Sequence, residues 1–239
     1  MYEYLYLGLL PLLMGIATVH LFNRLDNSRF QVRGIVGPYF AALALMFGLF
    51  SSLTASDVWQ RIGKANTLVC AEVNSLRSLL RLSETLGANS IEIKNTINDY
   101  VKEIQQSEFM DKQDIPSTMA AEALNRLYLI AADPANFNHV SPIQSEFLRS
   151  LEQVRSAHLE RIELRKTHLS NTKLLIIFIF GLLTQFSIAL CHAGNIRASW
   201  ASVMLFSVAF SAAVTVLTVF ENPASFSSMI STSSLADIR

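Results

Sequence analysis

The residues best equipped for chemistry are few and scattered. Arg29 and Arg33 stand four apart in a short stretch that also carries Arg24 and one acid, Asp26. Guanidinium groups so placed could ring a mouth and draw anions inward, and a solvated loop that sets orientation accounts for them equally well. His20 and His192 lie close to the ends of apolar runs, where hydrogen bonding within a bundle is a commoner use than proton transfer. Gln185, with Thr184 and Ser187 beside it, is an amide deep in an apolar run and requires a partner on another helix. Glu160 and Glu163 alternate with Arg161, Arg165 and Lys166, a spacing that suits ion pairs along one helix. Neither GxSxG, HExxH, a P-loop nor a Cys/His cluster occurs, so no enzyme, metal or cofactor chemistry is expected. The two cysteines, Cys70 and Cys191, are too few for a metal site and poorly placed for a structural disulfide.

The elements that must position these residues are dominated by four stretches without Asp, Glu, Lys or Arg, at 4–23, 34–56, 174–196 and 198–220. A hydrocarbon core about 30 Å thick needs roughly 20 residues at 1.5 Å rise, so all four are long enough to span. A charge at mid-bilayer costs at least ~2.5 kcal/mol, which explains why none is present. A soluble fold would need four long core helices without a polar face, an arrangement that globular domains rarely contain. The sequence therefore predicts an all-α integral membrane protein with four spans: a first transmembrane hairpin (1–56), a helical extramembrane domain (57–173), a second hairpin (174–220) and a Ser-rich tail (221–239).

Composition agrees: 51% of residues are hydrophobic, the mean hydropathy is +0.35, and the 16% that are charged gather mostly between the second and third runs. The net charge of zero gives no field that would favour nucleic acid. The opening residues Met1, Tyr2 and Glu3 lack the positive region of a secretory signal, so the first run is expected to stay. Near the membrane ends, the extramembrane domain carries Arg61, Lys64, Arg155, Arg161, Arg165, Lys166 and Lys173 against Arg24, Arg29, Arg33 and Arg197 on the opposite side. Positive charge favours the cytoplasm, which places the helical domain and both termini inside.

Within 57–173 the apolar residues follow helical periods. Val58, Ile62, Ala65, Val69, Val73, Leu76, Leu79 and Leu80 continue the second span out of the membrane as one long helix, ending near Gly87. A helix from Asn89 or Ser90 aligns Ile93, Ile97, Tyr100, Val101 and Ile104, and the Asp111 to Pro116 stretch breaks it. Another runs from Met119 to Ala131 behind the cap Ser117. Ser141, Pro142 and Gln144 offer a capping box for a last helix, whose stripe Phe147, Leu151, Val154, His158 and Ile162 meets no breaker before Lys173. This helix is expected to run straight into the third span.

The stretch Phe50-Ser51-Ser52-Leu53-Thr54-Ala55-Ser56-Asp57-Val58-Trp59 resembles the end of the second transmembrane helix of bestrophins, where a Phe is followed nine residues on by the Trp of an Arg-Trp pair. Trp59 is kept, and Val58 stands in place of the arginine. Over nearly the whole chain the pattern is similar to the bestrophin-like bacterial family. Its anchors are Trp59, Ala65, Glu72 and Leu76, then Tyr100 with Glu108 and Phe109, then Arg161 and Ile162, and finally Glu221 and Pro223 after the last span.

The resemblance implies a homopentameric anion channel in a bacterial inner membrane, its pore lined by the second span. Carried over on Phe50, the constriction falls at Ala42, Met46 and Phe50, which share one helix face. Rings of Met and Phe would form an apolar throat that gates by wetting. The alternative is that these three pack against neighbouring helices, with Gly37 and Gly48 permitting close approach. A non-conducting scaffold or regulatory subunit, binding a protein partner through its helical domain, is the second functional reading. The acidic run with which animal bestrophins bind calcium has no counterpart in the tail, where Asp237 is the lone acid after Pro223.

Overall fold

The structure, a computed structural model, describes residues 2–24, 36–85, 90–110, 117–133, 142–166, 171–192 and 195–221, and its regular elements are all helical. They are α1 (Tyr2–Arg24), α2 (Val36–Ser83), α3 (Ser90–Glu103), α4 (Thr118–Ala132), α5 (Pro142–Lys166), α6 (Asn171–Cys191) and α7 (Ile196–Glu221). The chain divides into two compact units, one of Met1–Trp59 with Leu169–Asn222 and one of Gln60–His168 with Pro223–Arg239.

In the first unit α1, α6 and α7 pack on one another, α1 most extensively on α7. The contact is close because small residues face each other. A methyl group added at Gly8 would lie 2.2 Å from Thr215 Oγ1, and one at Gly15 would lie 2.1 Å from Ser207 Oγ. Such small-residue contacts let helix backbones approach where no hydrophobic effect drives association. Gly181 on α6 plays the same part against the Phe210 ring. The expectation that Gly48 admits a neighbour is corrected within this chain, since a methyl group added there would meet nothing within 4 Å, and the surroundings of Gly37 are outside what is described.

Among the described residues, three helices are long and apolar enough to cross a membrane: α2 over Tyr39–Ser83, α6 over Thr172–Cys191 and α7 over Ile196–Val219. The apolar stretch Tyr6–Phe22 of α1 is shorter. Of the most apolar window in each, 39% is buried in α6 and 33% in α7, but 6% in α2. The second helix is thus the one whose apolar surface this chain leaves least covered.

In the second unit the predicted stripes form the core. Ile62, Ala65, Val69, Val73, Leu76 and Leu79 of α2 are buried, as are Ile93, Ile97, Tyr100 and Val101 of α3 and Phe147, Leu151 and Val154 of α5. Each Val, Leu, Ile or Phe among them contributes about 1.5–3 kcal/mol on removal from water. Helix α2 is continuous from the apolar run into this core, as its periodicity predicts, and ends at Ser83 with a 3₁₀ turn at 84–85, a few residues short of Gly87, which is outside the described residues.

Ser117 caps α4 by accepting from the Ala120 amide at 3.3 Å, while its hydroxyl donates to Glu103 Oε1 at 2.7 Å and ties the end of α3 to the start of α4. Helix α3 passes into a π-helical stretch, Ile104–Met110, before the predicted break at 111–116, which falls outside the described residues. Helix α5 begins at Pro142, as predicted, while Ser141 of the expected capping box is not described, and Gln144 donates instead to the Ala131 carbonyl at 2.8 Å. The expected passage of α5 into α6 spans 167–170, likewise outside the described residues.

Candidate functional site

In the helical unit, four polar residues from three helices converge in the core. Glu72 of α2, Tyr100 of α3 and His158 and Arg161 of α5 are each at most 4% exposed. The Tyr100 hydroxyl donates to Glu72 Oε1 at 2.6 Å, and Arg161 Nε donates to Glu72 Oε2 at 3.2 Å. Arg161 Nη2 lies 3.1 Å from His158 Nδ1, while that nitrogen is 3.7 Å from Glu72 Oε1. Nδ1 cannot accept from Arg161 and donate to Glu72 at once, and the shorter distance favours accepting, the tautomer with its proton on Nε2. The Tyr100 and His158 rings meet edge to face at 5.8 Å.

Helical periodicity puts these residues there. Glu72 and Ser75 fall on the same side of α2 as Val69, Val73 and Leu76, and His158 and Arg161 continue the Phe147, Leu151 and Val154 face of α5. Burial opposes a charge on Glu72, but the Arg161 guanidinium, with the Tyr100 hydroxyl, outweighs it and holds the carboxyl below the usual carboxylate range. Solvent-side contacts extend the seam: Ser75 donates to Gln153 at 3.3 Å and Lys64 pairs with Glu160 at 2.5 Å. Of the residues expected to form ion pairs along α5, Glu160 and Arg161 are found paired across to another helix. Both find their partners on α2, because Arg161 faces the core and Glu160 faces Lys64.

In the membrane unit, Ala42 and Met46 are exposed on α2, Met46 at 41%, while Phe50 is half-buried and stacked on Phe180 of α6, with ring centroids 5.2 Å apart. Leu45, Leu49 and Leu53 share in the uncovered surface of α2. Phe47 faces inward, edge-on to Phe206 and Phe210 of α7 at 5.3 and 5.1 Å. This phenylalanine cluster attaches α2 to α6 and α7. At the end of the apolar runs Asp57 and Lys173, the first charges outside the second and third, form an ion pair.

Gln185 finds interhelical partners for its amide nitrogen. Its amide nitrogen donates to the Pro11 carbonyl of α1 and to Ser207 Oγ of α7, each at 2.9 Å, fastening three helices at one level. His192 uses Nδ1 toward the Ile188 carbonyl at 3.0 Å, a bond within its own helix end, and His20 is exposed. Arg29, Arg33 and Pro223 are outside the described residues; Glu221 closes α7, and its side chain is not described. Trp59 is largely exposed where the chain passes from one unit to the other. Sequence reading missed the pairing of Glu72 with Arg161 and Tyr100, although the family likeness touches each of the three separately. It also missed the Phe47, Phe178, Phe206 and Phe210 cluster, whose signal was the frequency of Phe in the runs. Among the described residues, no group of three or more His, Cys, Asp or Glu is placed to hold a metal.

A unit of apolar helices long enough to cross a membrane, joined in sequence to a helical unit with a buried ionic centre, is the architecture of an integral membrane protein. The chain belongs to the Bestrophin-like family, whose domain matches residues 9–234. Solved structures share its fold. A crystal structure of a membrane protein variant is similar at a TM-score of 0.70 and 13% identity, with 100% of this chain and 99% of the other covered. A bacterial bestrophin homologue from Klebsiella pneumoniae carrying one substitution gives 0.67 at 14% identity, covering 99% and 98%. A second variant of that homologue gives 0.67 at 15% identity, covering 98% and 97%. A search of the curated proteins by sequence returns no match.

Proposed function

We propose that the chain assembles as a homo-oligomeric, bestrophin-like channel that conducts anions, with α2 facing a shared axis. The observation that carries this reading is the cover on α2, of whose most apolar window 6% is buried within the chain. Surface of that kind must meet lipid or other copies of α2, and a ring of copies encloses a passage that one four-helix subunit does not. Ala42, Met46 and Phe50 are the throat on this reading, with α1 completing four spans. Arg29 and Arg33 draw anions to the outer mouth, and the helical unit and both termini face the cytoplasm of a bacterial inner membrane. The pentamer follows the bestrophin likeness.

Planar-bilayer recording from purified oligomers tests the reading. Anion current that rises or loses its gating in Phe50→Ala supports it, and silent, well-folded oligomers count against it.

A second reading is favoured by one contact. Phe50 stacks on Phe180 within the same chain, as a packing residue would. On that reading the spans anchor a non-conducting scaffold whose helical unit binds a protein partner, and Phe50→Ala lowers stability without touching any current.

A further inference from the structure

Between α2, α6 and α7 the membrane unit contains a pocket of about 420 Å³, lined by Phe40, Ile188, Cys191, His192, Ser202 and Phe206 among others. Its walls are almost wholly apolar. The exception is one pair at its rim, where Ser202 Oγ lies 3.4 Å from His192 Nε2. With Nδ1 of His192 turned to the Ile188 carbonyl, Nε2 accepts from the Ser202 hydroxyl. The serine oxygen keeps lone pairs for a further donor, and a dipole is fixed at the rim.

The position of this pair in the fold decides what it can meet. Helix α6 ends at Cys191 and α7 begins at Ile196, so His192 sits in the turn where the two apolar helices leave the hydrocarbon. Trp200 packs nearby against Val19, Ile188, Ala189 and Val203, at the level where amphipathic rings gather in membrane proteins. Below the pair the pocket faces apolar side chains alone, at a depth where the surrounding solvent is acyl chain. The volume is within the ~300–1,000 Å³ of small-molecule sites.

We infer that this pocket binds one acyl chain of a membrane phospholipid. A polar ligand would find no hydrogen-bond partner along Phe40, Ile188 and Phe206, and would leave its own groups unpaired. An acyl chain needs none, and the bilayer supplies it in excess, so even a weak site is filled by mass action. The inference rests on the membrane location of α2, α6 and α7 and not on conduction, so it stands or falls separately from the channel.

The test uses full-length protein in bilayer nanodiscs of palmitoyl-oleoyl phosphatidylcholine with a small share of the same lipid carrying a diazirine on its acyl chain. After photolysis, adducts should concentrate on residues 188–192 and 202–209, several-fold above the exposed apolar surface at residues 9–13 of α1. Ala209→Trp, which fills the pocket from a position that is exposed, should remove that excess. Adducts spread evenly over the apolar surface would overturn the inference.

A second measurement uses the thiols. Cys70→Ser leaves Cys191 as the one cysteine, and its maleimide labelling in micelles should slow several-fold on adding phosphatidylcholine but not glycerophosphocholine, the head group without chains. Protection by the head group alone would indicate a polar ligand. Disulfide-linked dimers through Cys191 would indicate a second copy over the pocket. Either result refutes the acyl-chain assignment.

Discussion

Arg161 and Glu72, 89 residues apart in sequence, are joined by a buried ion pair of 3.2 Å that fastens α5 to α2 in the core of the helical unit. The pair has little independence from its neighbours: Tyr100 donates to the other carboxylate oxygen and His158 accepts from the guanidinium. A buried pair of this kind adds little net stability over a well-packed apolar substitute, but removing one partner leaves the other charged and alone.

Arg161→Ala is therefore expected to destabilise the helical unit by about 3–5 kcal/mol. Glu72→Gln should cost a similar amount, because it leaves the buried Arg161 guanidinium without its counter-charge. The double variant should cost less than the sum, since the stranded charge is gone. Thermal unfolding followed by circular dichroism measures all three, and strict additivity would show that the two residues act independently.

Acid should loosen the same unit. The carboxyl of Glu72 lies below its ordinary range when folded, so its contribution is fully present above about pH 4.3 and is lost as the pH falls through the folded value. Unfolding midpoints measured between neutral pH and pH 3 should fall, and Glu72→Gln should flatten that decline. An unchanged slope in the variant would assign the acid sensitivity to other carboxyl groups.

The close approach of α1 and α7 predicts a contrast between glycines. Gly15→Ala drives a methyl group to 2.1 Å from Ser207 Oγ, beside the Gln185 amide, and overpacking of this kind costs about 1–3 kcal/mol. Gly48→Ala meets nothing within 4 Å in the subunit and replaces a poor helix former with the best one. A lower melting temperature for the first variant and none for the second is the expected pattern in detergent.

If α2 lines a passage, Met46→Glu places a ring of carboxylates at the throat. Anion current should be suppressed and the reversal potential should shift toward cation selectivity under a salt gradient. Current and selectivity identical to the parent protein would remove Met46 from the passage and favour the packing reading of this face.

Much of the helical architecture was written in residue spacing. The stripes of Val69, Val73 and Leu76, of Ile93, Ile97 and Tyr100, and of Phe147, Leu151 and Val154 locate three helices and their buried sides, because a helix repeats every 3.6 residues whatever it packs against. The cap at Ser117 and the start at Pro142 follow from equally local chemistry. Gln185 was legible too, since an amide deep in an apolar run has few ways to be satisfied.

Which partner each polar residue takes was not legible. Arg161 could pair along its own helix or reach across to Glu72, and the sequence carries both options until the relative rotation of α2 and α5 is set. Phe50 and Phe47 differ by three residues, yet one stacks on α6 and the other meets α7, a distinction settled by side-chain packing in three dimensions. The sequence by itself determined that the chain is helical, apolar at both ends and charged between, because those properties depend on the order of residue types and the helical period. Tertiary structure alone decided that Glu72 is an acid held ionised in a core and that α2 is the helix left uncovered, because both depend on distances between segments remote in the chain.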